Sequence, residues 1–91
     1  MLKLAWKSKA TQQFELLLNY VAERNFDAAQ RLEALIHERV ETLRKFPELG
    51  RPGRVADTRE IVPHPNYIVV YRCDGNAISV LNVLHARRRY P

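Results

Sequence analysis

The most reactive stretch of the chain is its last: His85, then Arg87, Arg88, Arg89 and Tyr90. An imidazole transfers protons near neutral pH. Guanidinium forks bind phosphate or carboxylate through two parallel hydrogen bonds, and a phenol ring can stack on a base. RNA cleavage without a metal needs a base for the 2′-hydroxyl, an acid for the leaving oxygen and cations for the phosphorane. His85 suits the proton transfers, Arg87 and Arg54 the charge, and Tyr90 the positioning of RNA. Taken singly, a histidine at a strand end is more often structural, and an arginine run is more often a solvated surface. It is the clustering that points to a site.

Other groups could join it. Gly50-Arg51-Pro52-Gly53-Arg54 contains a proline and does not open a helix, so it is no phosphate cradle of the P-loop kind, but it can present Arg51 and Arg54 at the edge of a groove. His64 sits in the rigid turn Pro63-His64-Pro65-Asn66 and is a second proton-transfer candidate, though a turn role is the plainer reading. Arg59, Arg72, Arg88 and Arg89 are candidates for contact with RNA or a protein partner, and Tyr67 for stacking.

The elements that must position these groups follow from periodicity. Leu2, Leu4 and Trp6 alternate as in a half-buried strand. Ser8 offers an N-cap for a helix whose apolar stripe is Ala10, Phe14, Leu17, Leu18 and Val21. Asn25 breaks it and caps a second helix, with Asp27 in the first turn and Ala29, Leu32, Ile36, Val40 and Leu43 as its stripe, about five turns in all. Pro47 ends that helix, and so short a break between two long helices makes them antiparallel neighbours. Residues 48–57 read as a loop. Arg59 to Val62 is a short strand interrupted by Pro63. Tyr67 to Tyr71 is strongly β-prone, Asp74-Gly75-Asn76 signals a hairpin, and Ala77 to Leu84 returns. The predicted order is β-α-α-β-β-β, an α+β domain with a helical hairpin packed on a small antiparallel sheet. A two-residue turn would place Tyr67, Val69 and Tyr71 on one face with Ile78, Val80, Asn82 and Leu84, and His85 on the other. Both faces are largely apolar, so both need covering, the second by the tail, another copy or a partner.

Length and composition bound the function. Ninety-one residues, 46% hydrophobic, make one domain spanning 1–91 with a modest core. No apolar run is long enough for a membrane span or a signal peptide. One cysteine, Cys73, excludes an intrachain disulfide and suits a reducing cytoplasm. His37, His64 and His85 lack zinc spacing, so neither metal nor cofactor is expected. Residues 1–50 carry eight Lys or Arg against seven acids, whereas 51–91 carry seven Arg against three acids. That half therefore suits an anionic partner.

In this order and length, several segments resemble the RelE/ParE superfamily of toxins from type II toxin–antitoxin systems. They are the opening strand and helical hairpin, Leu43 to Pro52, Thr58-Arg59-Glu60-Ile61, Tyr67 to Arg72, and the ending Val83-Leu84-His85-Ala86-Arg87. The resemblance implies a cytoplasmic bacterial toxin held by a cognate antitoxin, with operator DNA contacted only through the antitoxin. It also implies one of two targets. RelE-like and YafQ-like members cleave mRNA on the ribosome, whereas ParE-like members poison DNA gyrase. The His-Ala pair after the last strand is similar to the YafQ-type ending, which carries a catalytic role to His85, with Arg87 and Tyr90 as partners. The expected function is thus a ribosome-dependent mRNA endonuclease (an mRNA interferase). The alternatives are a non-enzymatic gyrase inhibitor and, last, a non-toxic nucleic-acid-binding domain. The pattern departs at Pro63 and Asn66, where relatives carry an arginine and an aspartate.

Overall fold

A computed structural model describes residues 1–90. The elements are β1 (Lys3–Trp6), α1 (Ser8–Arg24), α2 (Phe26–Thr42), β2 (Arg51–Pro52), β3 (Arg59–His64), β4 (Tyr67–Asp74) and β5 (Ala77–His85). One sheet runs in the order β1-β5-β4-β3-β2. The helical hairpin covers one face, and the tail covers part of the other.

The helices start and stop close to where the sequence suggests. Asn25 accepts a hydrogen bond from the Ala28 N–H at 2.9 Å and so caps α2. Ser8 is not a cap: Lys7 holds that place and makes no side-chain capping bond, and Ser8 is already helical. Ala10 and Phe14 of α1 meet Leu32, Ile36 and Val40 of α2 over Val69, Val80 and Val83 of the sheet. Burying each aliphatic side chain of this kind contributes about 1.5–3 kcal/mol. At the margin, Trp6 stacks on Phe14 at 5.3 Å, and His37 closes edge-on to the Phe14 ring.

The sheet differs from expectation in four ways, three of them in which strands form and how they pair. β1 is parallel to β5, pairing Leu4 with Ile78 and Trp6 with Val80, so the sheet is mixed. The helical hairpin is the crossover that makes this possible. The region read as a loop contains β2, which pairs Arg51 with Glu60. β3 continues through Pro63 to His64 with an irregular register. β2 pairs only Arg59 and Glu60, so Pro63 lies on an edge where a missing N–H breaks no ladder.

The difference with most consequence is a β-bulge. Tyr71 pairs with Val80, but Val70 pairs with Asn82, leaving Leu81 as an extra residue. Past that point every side chain of β5 changes face. Val83 therefore joins the helix-side core, Leu84 joins Ile68 and Val70 on the outer face, and His85 pairs with Tyr67. The expected placements of Leu84 and His85 are reversed. The Val83 N–H donates to Gln13 Oε1 at 2.9 Å, and Gln13 Nε2 donates to Asn82 Oδ1 at 3.3 Å, so α1 satisfies the bulged segment.

Tyr71 ties the loop to the sheet. Its ring is fully buried, and its hydroxyl donates to the Pro47 carbonyl at 2.7 Å and accepts from the Gly50 N–H at 2.9 Å. A buried hydroxyl without such partners is costly. Gly50 is required by close approach, since a Cβ there would lie 2.7 Å from the Tyr71 hydroxyl and 2.8 Å from the Glu60 carbonyl. Gly50→Ala should cost about 1–3 kcal/mol by urea denaturation. Burial raises the Tyr71 pKa above its usual 10.0, against smaller lowering by the Gly50 N–H and Arg59. A raised folded-state value means the phenol's stabilisation is whole below about pH 10 and fades as pH rises through the folded value. Tyr71→Phe should lower stability near neutrality by about 1–3 kcal/mol and make its decline above about pH 10 shallower than in the wild type. An unchanged alkaline slope would argue against this role.

Candidate functional site

The groups expected to form one site fall into two. The first lies on the outer face around Glu60, which alternation in β3 places beside Val70. Glu60 is 3% exposed. Its Oε1 accepts from Arg51 Nε at 3.2 Å and Nη2 at 3.0 Å. Its Oε2 accepts from the Arg54 N–H at 3.3 Å, lies 3.9 Å from Arg54 Nε, and accepts from the Tyr90 hydroxyl. Arg54 also stacks over the Tyr90 ring, 4.6 Å from its centroid. The Tyr90 ring and Ala86 in turn cover Ile68, Val70 and Leu84. The tail is therefore the second cover that the two-faced sheet demanded.

The second group lies on the helix side at the far end of the sheet. His64, Tyr67 and His85 stand in a row on β3, β4 and β5, with centroids 5.3 Å and 5.7 Å apart. His85 Nδ1 accepts from the Arg87 N–H at 3.2 Å, and His64 Nδ1 from the Asn66 N–H at 3.0 Å. With Nδ1 used as an acceptor, each neutral ring carries its proton on Nε2. His85 can then take up a proton at Nε2 only by moving its own proton to Nδ1 and giving up the Arg87 bond. This arrangement suits a hydrogen-bond donor better than a general base.

Of the expected catalytic set, Arg54 and Tyr90 are brought together and His85 is kept apart from them on the opposite face. Arg87 contributes a backbone bond to His85, while its side chain, like those of Arg88 and Arg89, is exposed. Arg51 joins the Glu60 cluster. Arg59 donates to the Gly50 carbonyl at 2.8 Å, bracing the same loop as Tyr71. Arg72 is half-buried in β4. The sequence reading missed Glu60 and Gln13. An acid next to the apolar pair Ile61-Val62 in a short strand, close to an arginine-bearing loop, was the available signal for Glu60. Gln13 gave none, since a polar residue on a helix is ordinary. Among the described residues no cluster of three or more His, Cys, Asp or Glu could hold a metal ion, and no helix is long and apolar enough to cross a membrane.

Residues 4–90 match the family model of the ParE toxin of the type II toxin–antitoxin system parDE. The chain belongs to this family, within the RelE/ParE superfamily. It is similar to the Y4kP protein of Sinorhizobium fredii, 33% identical over 98% of this chain and 93% of that one. It is also similar to toxin RelE2 of Caulobacter vibrioides, 26% identical over 97% and 99% of the two chains. A chain of the chromosomal ParDE system from P. aeruginosa shares the fold, with a TM-score of 0.82 and 21% identity over 93% of this chain and 96% of that one. The YoeB/ParE toxin from Agrobacterium tumefaciens shares it at 0.68, with 20% identity over 97% and 99%. The protein is a toxin of a type II toxin–antitoxin system, and its family implies an antitoxin partner.

The Glu60 cluster predicts how the tail is held. Tyr90→Phe removes a hydrogen bond to a carboxylate, worth about 1.5–3 kcal/mol, from a local contact. Trypsin should cut at Arg88 and Arg89 about tenfold faster or more, while the urea midpoint moves little. Cleavage at the wild-type rate would mean that Tyr90 does not hold the tail.

Proposed function

We infer that this toxin acts by binding, as an inhibitor of DNA gyrase, rather than by cutting RNA. The observation that carries the reading is the separation of His85 from Arg54 and Tyr90 by the thickness of the sheet. A phosphorane needs its proton donors and its cations around one phosphate. Here the Arg51 and Arg54 guanidiniums already face the Glu60 carboxylate, so part of their charge is spent within the protein. The match to the ParE family model over nearly the whole chain supports the same reading. Binding would rest on the exposed helical hairpin and the exposed Arg87, Arg88 and Arg89 in the cytoplasm, and the antitoxin would relieve it.

A second reading keeps the ribonuclease, cleaving mRNA on the ribosome. It rests on the row of His64, Tyr67 and His85, where two imidazoles flank a phenol that could position RNA. One pair of assays separates the two readings. Purified toxin should inhibit gyrase supercoiling and accumulate cleaved DNA, and His85→Ala should change the half-inhibitory concentration by less than about threefold, as a surface substitution does. Messages on translating ribosomes should remain full length by primer extension. Active gyrase at saturating toxin, together with new mRNA ends that His85→Ala abolishes, would replace the first reading with the second.

A further inference from the structure

We propose that Asn82 is a positioning residue that sets the face on which His85 stands. Its side chain forces the bulge, and without it β5 would run on unbroken and carry the imidazole to the face of Arg54 and Tyr90. Continuing the pairing of Tyr71 with Val80 as a regular strand would set Leu81 opposite Val70 and Asn82 opposite Val69. That place lies in the helix-side core among Leu32, Ile36 and Val80, where Val69 is fully buried. A primary amide has two N–H donors and a carbonyl to satisfy, and hydrocarbon neighbours satisfy none of them. The bulge moves Asn82 to the margin instead, where it is half-buried and its Oδ1 accepts from Gln13 Nε2 at 3.3 Å.

The neighbours of Asn82 do not choose between the two registers. Val83 and Leu84 would exchange faces, but both are apolar and both are buried, so each face keeps an aliphatic side chain either way. Gln13 does not choose either. The pairing of β1 with β5 ends at Val80, and Gln13 Oε1 takes the N–H that follows on that side. In the bulged strand this is the Val83 N–H. The carbonyls of Asn76 and Val80 accept from β1, so in a regular strand the N–H of residue 82 would point the same way and could take its place. Within Leu81-Asn82-Val83-Leu84 only Asn82 is polar, and a bulge leaves one residue unpaired. The cost of burying one amide therefore decides which face receives His85.

Proton NMR of the full chain reads the register directly. The Val83 N–H points to Gln13 and away from β4, so Val69 and Val83 form a close pair whose Hα atoms face each other. The wild type should show that Hα contact together with the contact between the Tyr67 and His85 rings. Asn82→Val should lose about nine-tenths or more of both and gain an Hα contact between Val69 and residue 82. Asn82→Ala, small enough for either register, should show both patterns. Asn82→Asp keeps the acceptor for Gln13 and suits the core even less, so it should keep the wild-type pattern alone. A merely structural role for Asn82 would weaken the fold without moving any of these contacts. The proposal is overturned if Asn82→Val or Asn82→Ala, once folded, keeps only the wild-type contacts, or if Asn82→Asp takes the new one. The register is read in the isolated toxin, so the outcome does not depend on whether the target is gyrase or the ribosome.

Discussion

The placement of His85 and of the tail that follows it depends on one extra residue in β5. A strand with side-chain period two has no freedom to choose which face a residue occupies once its register is set. The bulge at Leu81 resets that register after Val80. It sends Val83 into the helix-side core, gives Leu84 to the outer face, and turns His85 toward Tyr67. The tail that follows must then cross to the outer face, where Leu84, Val70 and Ile68 need a cover and Tyr90 supplies one. Gln13 makes the arrangement tolerable by accepting the Val83 N–H beyond the reach of β1, whose pairing with β5 ends at Val80.

A second constraint acts on the outer face. Glu60 is a carboxylate almost without solvent, and such a group is kept only where donors surround it. Arg51, the Arg54 backbone and the Tyr90 hydroxyl do so, and they draw the 50–54 loop and the tail onto the same spot. Because the side chains of Arg51 and Arg54 are about half exposed, their ion pairs are weakened by water, and the half-buried Tyr90 contact matters more to order than to global stability. Tyr71 and Arg59 brace the same loop from the helix side.

Much of this was legible in the sequence. The two helices follow from their apolar stripes, Asn25 from its chemistry as a cap, and the β4–β5 hairpin from Gly75, whose φ of 57° suits the tight turn. The demand for a cover on both faces of the sheet was also visible, because alternation failed to leave a polar face. The bulge was not visible: Leu81-Asn82-Val83 continues a β-prone run with no glycine to mark it. The expectation that His85, Arg54 and Tyr90 share a site came from clustering in the sequence and from the family resemblance, and the bulge is what turns His85 to the other face. The parallel pairing of β1 was hidden for a different reason, since partners more than seventy residues apart leave no local signal. The family was legible from motif order, whereas the division of its residues between two faces was a matter of register.

The separation of the two groups of residues is the claim on which the functional reading turns, and proton NMR measures it directly. Nuclear Overhauser contacts should connect the His85 ring to Tyr67 and the Tyr90 ring to Ile68 and Leu84, with none between His85 and Tyr90. A strong contact between the His85 and Tyr90 rings would place them on one face and contradict the account.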